Sequence, residues 1–255
     1  MADVEVRPAE GGVRTVVLNR PAKRNALTLS MLEALASAFE EEPGAQDRAT
    51  LLTAAGPTFC SGLDLTERGR DGGAPAGESP IHRVLQAIRA YPLPVVAVVQ
   101  GDAIAGGNEL ALNCDLVIAA TRASFGMSLA QIGLAPTWFL AARLYEAAGP
   151  ALTREMLLLG ETVPAGRLEE LGVIARAVPA HELEAVAARI AARLAANAPL
   201  SLRAIKATLT RLGDARDPLP HEDIDALVAA AGASADAREG IGARLERRAP
   251  RFSGR

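Results

Sequence analysis

The chain has 255 residues, 49% of them hydrophobic but only 3% aromatic, which fits one large domain or one and a half average ones with a core of Ala, Leu, Val and Ile. A formal net charge of −3 offers nothing to a polyphosphate backbone and argues against a nucleic-acid partner. Two cysteines, Cys60 and Cys114, make no disulfide framework, Met1–Pro8 lacks the apolar stretch of a secretory leader, and apolar runs such as Leu93–Val99 are too short for a bilayer, so a cytoplasmic protein without a membrane partner is expected.

In chain order, Val4–Pro8 and Val13–Leu18 read as a hairpin around Gly11 and Gly12. A polar loop, Pro21–Thr28, precedes a helix from Leu29, with Thr28 or Ser30 as its cap and Met31, Leu32, Leu35 and Phe39 on its apolar face. Ala49–Thr53 is an apolar strand. Thr58–Leu65 is a tight glycine-bearing turn, and Arg68–Pro80, rich in Gly and Pro, reads as a loop over a pocket or a disordered insert. A helix, Ile81–Ala90, leads to Pro94–Val99, a fully apolar strand of the kind covered on both faces. Gly101–Gly107 is a second glycine-bearing turn, followed by a helix over Asn108–Asn113 and a strand over Asp115–Ala119. From Trp138 onward helices dominate: Phe139–Ala148, Ala151–Leu159, Glu182–Ala195, Leu200–Leu212, Glu222–Ala231 and Ala237–Arg248. One strand, Val173–Val178, interrupts them. Alternating strands and helices followed by helices alone predict an α/β core with an α-helical C-terminal region.

Two turns stand out: Phe59-Cys60-Ser61-Gly62-Leu63-Asp64-Leu65 and Ala103-Ile104-Ala105-Gly106-Gly107-Asn108-Glu109-Leu110. Glycine lets a backbone approach a ligand closely, and the first N–H groups of a helix are unpaired and favour negative charge. Side by side, the two turns could aim two N–H groups at one oxygen, which is an oxyanion hole. Read singly, each turn is equally a sharp bend between a strand and a helix. Glu109, in the first turn of its helix, is a candidate general base; its other reading is a carboxylate stabilised by the helix end, with Asn108 as cap.

These turns, together with Leu18-Asn19-Arg20-Pro21, Asn25-Ala26-Leu27, Pro94 to Gly101, Cys114-Asp115, Phe125-Gly126 and a C-terminal run from Arg238-Glu239-Gly240-Ile241 to Arg247, Arg248, Pro250 and Phe252, resemble the enoyl-CoA hydratase/isomerase (crotonase) family in order and spacing. The resemblance implies a crotonase-like spiral of ββα units over residues 1–195 and a helical trimerisation region over 196–255, in a homotrimer or homohexamer. It implies that the N–H groups of Leu63 and Gly106 hold the thioester oxygen of an acyl-CoA and that Glu109 is the base. Coenzyme A belongs to the substrate, with no permanently bound cofactor. Lys23, Arg24 and Ala26 resemble the segment that meets its nucleotide and phosphates, and Ser61, Asp64 and Leu65 line its path. Lys23 and Arg24 equally fit a solvated pair, and so do Arg247 and Arg248, which resemble phosphate-reaching residues.

One position departs from the family pattern. Where hydratases carry a second glutamate, this chain reads Phe125-Gly126-Met127-Ser128-Leu129, and Leu129 can act as neither acid nor base. Thr137 likewise lacks the acid that some isomerases place near it. With Glu109 left as the one carboxylate, the expectation is double-bond isomerisation or hydration of an enoyl-CoA. The alternative is a non-catalytic or hydrolytic acyl-CoA-binding member of the same fold. A peptidase of the same ββα architecture would need a Ser-His-Asp set that is not found. His82 is a minor candidate for the acyl pocket, Ser128 for holding a water, and Trp138 and Phe139 for the pocket wall. Cys60 reads as packing, and His82, His181 and His221 are too scattered for a metal site.

Overall fold

The computed structural model describes residues 2–67, 80–214 and 219–254. The expected loop over Arg68–Pro80 lies outside the described residues except for Pro80, which opens a helix. The chain starts with an antiparallel hairpin of β1 (Val4–Glu10) and β2 (Val13–Leu18), turned at Gly11 and Gly12, both at positive φ. Every later strand of this sheet is parallel to its neighbours: β3 (Ala49–Ala54), β4 (Val95–Val99), β6 (Leu116–Ala120) and β9 (Arg176–Val178), in the order β1-β2-β3-β4-β6-β9. Parallel neighbours need long crossovers, and helices supply them: α1 (Leu29–Glu40) before β3, α2 (Pro80–Ala90) before β4 and α3 (Gly106–Leu112) before β6. The Thr28 side chain caps α1 by accepting from the Met31 N–H, as the sequence suggests.

The continuous apolar run of β4 is explained by what lies on each side. Val95, Ala97 and Val99 join Leu52, Val117 and Ala119 in the main core beneath α1 and α2. Val96 and Val98 face the other way and, with Ile118 and Ala120, pack on Leu183, Val186 and Ala187 of α6 (Leu183–Ala195). Alternate residues point to opposite faces of a strand, and here both faces are covered.

A second, three-stranded sheet consists of β5 (Ala103–Ile104), β7 (Ser124–Gly126) and β8 (Thr162–Pro164). The strand expected over Val173–Val178 is shorter at its start. The helix α5 (Ala165–Glu170) ends in a turn through Gly172, and the N–H groups of Val173 and Ile174 close it by donating to the Leu168 carbonyl, so pairing begins only at Arg176.

The two helical stretches expected after Trp138 are both present, one on each side of a break at Gly149. α4 (Trp138–Arg154) breaks at Gly149, with φ 70° and ψ 171°, ahead of Pro150, and a π-helical turn over Glu155–Leu159 follows it. Three more helices, α7 (Pro199–Gly213), α8 (Glu222–Ala233) and α9 (Ala235–Glu246), complete the described chain. α7 and α9 pack on this chain's own core, and α8 packs on α9. Lys206 of α7 is buried and donates to the carbonyls of Ile88 and Leu93 and, at 2.7 Å, to the Asp115 carboxylate. Asp214, after α7, accepts from Arg89 of α2 and Arg143 of α4, each at 2.8 Å. Gly240 of α9 lies against Ile132 with no room for a side chain. Among the described residues, no helix is long and apolar enough to cross a membrane.

Candidate active site

The two glycine turns lie side by side. Segment 59–64 is laced to both of its neighbours by backbone hydrogen bonds. On one side, Phe59 and Cys60 donate to the Asp102 carbonyl, and Ile104 donates to that of Cys60 at 2.9 Å. On the other, Leu27 donates to the Gly62 carbonyl and Asp64 to that of Leu27, both at 2.8 Å. Glycine is required where the turns touch. Gly62 has φ 93°, and a Cβ on it would stand 3.1 Å from Ala105 Cβ and 3.3 Å from the Gly106 nitrogen. A Cβ on Gly107 would collide with the Cys60 backbone. The Leu63 N–H points away from the bridge that joins Leu63 to Leu27, and the Gly106 N–H is the first of α3. Neither donates to another group among the described residues. Two free N–H groups therefore stand on adjoining turns.

The start of α3 differs from the expectation. The helix begins at Gly106, two residues earlier than read from the sequence, and its N-cap is Ala105, not Asn108. Ala105 has φ 49° and ψ −116°, a strained conformation for a residue with a Cβ. Its N–H donates to the Gly126 carbonyl of β7 at 2.8 Å, so the small second sheet holds the strained residue in place. Asn108 is buried within the first turn, and its Oδ1 has no hydrogen-bond partner among the described residues.

Glu109 is 9% exposed, and its carboxylate has no hydrogen-bond or ion-pair partner among the described residues. Burial pushes its pKa up to about 8, because a low-dielectric surrounding disfavours the charged form. Cys60 lies close enough for the Glu109 charge to act on it, but burial is the larger effect and pushes the thiol up to about 12. A thiol so raised is no nucleophile, which agrees with the packing role read for it.

The residues expected to meet coenzyme A fall on two bridged segments. Asn25 is fully buried and organises the first: its Oδ1 accepts from the Arg20 N–H, while its Nδ2 donates to the carbonyls of Ala55 and Thr58 at 2.9 and 2.8 Å. Lys23 and Arg24 stand exposed at the bend, with no partner among the described residues for either side chain. Ala26 leads into the Leu27–Leu63 bridge. On the second segment, Ser61 donates its N–H to the Arg24 carbonyl. Asp64 accepts from Arg20 at 2.7 Å and from the Thr66 hydroxyl, so its side chain locks the segments together; these bonds hold its carboxyl below the usual range against the opposing effect of burial, the largest single cause. Leu65 packs near Ile132 and Leu134. At the other end of the chain, Arg248 is held by Glu239 and Glu246.

Leu129 packs between the main core and the Ile132–Leu134 cluster. The Ser128 hydroxyl accepts from Arg244 of α9 at 3.2 Å. Trp138 stacks on His221, ring centroids 5.0 Å apart, while Phe139 lies 5.2 Å from the His82 ring. His82 Nε2 is 2.9 Å from the Thr137 hydroxyl, a pairing that residues 55 apart in sequence do not announce. No group of residues able to hold a metal ion occurs among the described residues.

Two adjoining glycine turns and the buried Glu109 in the first turn of α3, on a parallel sheet extended by a small second sheet, form the candidate active site. Comparison with known proteins gives the chain its family. The family model described as enoyl-CoA hydratase/isomerase matches residues 8–255. The enoyl-CoA hydratase EchA19 of Mycobacterium tuberculosis is 33% identical, with 100% of each chain covered. The 1,2-epoxyphenylacetyl-CoA isomerase of Escherichia coli is 34% identical over 96% of this chain and 97% of that one. A solved methylmalonyl-CoA decarboxylase in complex with 2-nitronate-propionyl-CoA superposes with a TM-score of 0.93 at 27% identity, over 100% of this chain and 99% of that one. The chain belongs to the enoyl-CoA hydratase/isomerase family, and its fold is the crotonase-like spiral of ββα units with a helical C-terminal region.

Proposed function

We propose that this acyl-CoA enzyme holds the thioester oxygen of an enoyl-CoA between the N–H groups of Leu63 and Gly106 and uses Glu109 as its one acid–base group. The supporting observation is the adjoining pair of N–H donors and the buried carboxyl of the same helix start, none of them with a partner among the described residues. Ionised Glu109 takes a proton from the carbon that lies between the thioester carbonyl and the double bond of a 3-enoyl thioester. The C–H electrons move toward the thioester, and the resulting dienolate oxygen is stabilised by the two donors. Returning the same proton to the other end of the dienolate shifts the double bond, with no net gain or loss of atoms. Hydration would need a second proton donor, and Leu129 is packed in apolar surroundings. Proton shuttling is therefore favoured over hydration. A non-catalytic binder would have no use for a carboxyl that burial makes costly to ionise.

In the same reading, coenzyme A arrives and leaves with the substrate. Lys23 and Arg24 meet its phosphates, and Ala26, Ser61, Asp64 and Leu65 line its path. The chain assembles as a homotrimer or a pair of trimers, because α7 exposes Ile205, Leu209 and Leu212, and α8 exposes Leu227, an apolar surface of the kind that subunit contacts bury. Light scattering on a sizing column tests the assembly, and a monomer at micromolar concentration would refute it. The reaction is tested with 2-enoyl and 3-enoyl thioesters of coenzyme A, followed by absorbance of the conjugated system. Gain of conjugation from the 3-enoyl series without hydration of the 2-enoyl series is expected. Brisk hydration of the 2-enoyl series would overturn the single-carboxylate reading.

A further inference from the structure

The first turns of α2, α3 and α4 come together. Ile81 in α2 presses its Cδ1 to 2.8 Å from where a Cβ on Gly106 would sit, at the start of α3. The next residue, His82, bonds through Nε2 to the Thr137 hydroxyl, 2.9 Å away, at the N-cap of α4. Ile81, Leu129, Phe139 and Leu140 around this junction belong to the apolar core, and both polar partners are half-buried. A polar pair in such a wall is costly unless its hydrogen bonds are used.

The donor arithmetic allows the pair two directions, chosen by the His82 tautomer. A hydroxyl has one O–H to give and two lone pairs to fill. The Thr137 oxygen already accepts from the Leu140 N–H at 3.4 Å, as the cap of α4. With the Nε2–H tautomer of His82, it accepts from His82 as well. The Thr137 O–H is then the remaining function, and it can be given to an acceptor.

Resting on the reading of Leu63, Gly106 and Glu109 as the acyl site, we propose that Thr137, oriented by His82, donates a hydrogen bond to an oxygen carried on the acyl chain. The enzyme thereby prefers thioesters bearing a hydroxyl or carboxylate beyond the thioester over plain hydrocarbon ones. Thr137 is the contact, and His82 is a positioning residue. A site built to hydrogen-bond a substrate oxygen discriminates strongly against an analogue that lacks it.

The test compares kcat/KM for chain-matched enoyl-CoA thioesters with a hydrocarbon end, a hydroxyl end and a carboxylate end, in the full chain and in four variants. The wild type should favour one or both oxygenated series. Thr137→Val and His82→Phe should each cut the oxygenated-to-hydrocarbon ratio by about tenfold or more, while Thr137→Ser and His82→Gln, which keep a hydroxyl and an N–H donor, should retain most of it. Which oxygenated series responds identifies the group bound. A wild type without preference, or Thr137→Val lowering all series equally, would overturn the proposal and leave the pair as a tether between α2 and α4. Glu109→Gln is run alongside: if it turns over the hydrocarbon series at the wild-type rate, the acyl-site reading itself fails, whatever the ratios show.

Discussion

Replacing Glu109 by Gln separates the chemistry of the site from its cost. Burial moves the carboxyl from an ordinary 4.5 to about 8, and each tenfold change in an ionisation constant is worth about 1.4 kcal/mol. Ionised Glu109 is therefore disfavoured in the fold by on the order of 5 kcal/mol. The folded chain binds more protons than the unfolded one between pH 4.5 and about 8, so stability falls as pH rises through that window and levels off above it. Glutamine has no such term. In urea unfolding at pH 5, 7 and 9, the variant should match the wild type closely at pH 5 and exceed it by a few kcal/mol at pH 9. The same shift governs turnover. At pH 7 only about a tenth of the free enzyme carries ionised Glu109, so wild-type kcat/KM should climb with an inflection near 8, and the variant should be inactive yet still bind an acyl-CoA. Parallel stability curves for the two proteins, or a flat wild-type pH profile, would refute the assignment of an uncompensated buried carboxyl.

Gly107→Ala places a Cβ against the Cys60 carbonyl, which the interlocked turns cannot vacate; a loss of about 1–3 kcal/mol and a large fall in kcat are expected from thermal melts and the enoyl-CoA assay. Gly166→Ala, in α5 with nothing within 4 Å of the new methyl, should instead raise the melting temperature slightly, by about 0.5–1 kcal/mol of stability. Lys206→Met leaves Asp115 and the carbonyls of Ile88 and Leu93 without their donor; a cost of about 2–3 kcal/mol is expected by urea unfolding, with partial recovery when Asp115→Asn is added.

The main sheet, its helices and the α-helical C-terminal region were legible because their signals are local. The β-branched run of β4, the Thr28 cap and the 3.6-residue spacing of α1 each fix an element from a few neighbouring residues. The short strands β5, β7 and β8 were not legible, since strands of two or three residues carry no periodicity and exist only through their partners. The same limit shortened β9, where a helix-ending turn claims two apolar residues. Asn108 looked like a cap by residue type, but the chain enters α3 through a strained Ala105 held by Gly126, a contact across 21 positions that no local pattern encodes.

By itself the sequence determined which groups are available: glycines at two turns, a single carboxylate where the family pattern has two, and a leucine in place of the other. Only the tertiary structure decided what those groups are near. Folding sets Gly62 against Gly106, leaves two N–H groups without partners among the described residues, encloses Glu109 until its carboxyl favours the neutral form, and brings His82 to Thr137. The physical reason is that pairing, desolvation and strain are properties of distance through space, and residues far apart in the chain acquire that distance only when the core closes around them.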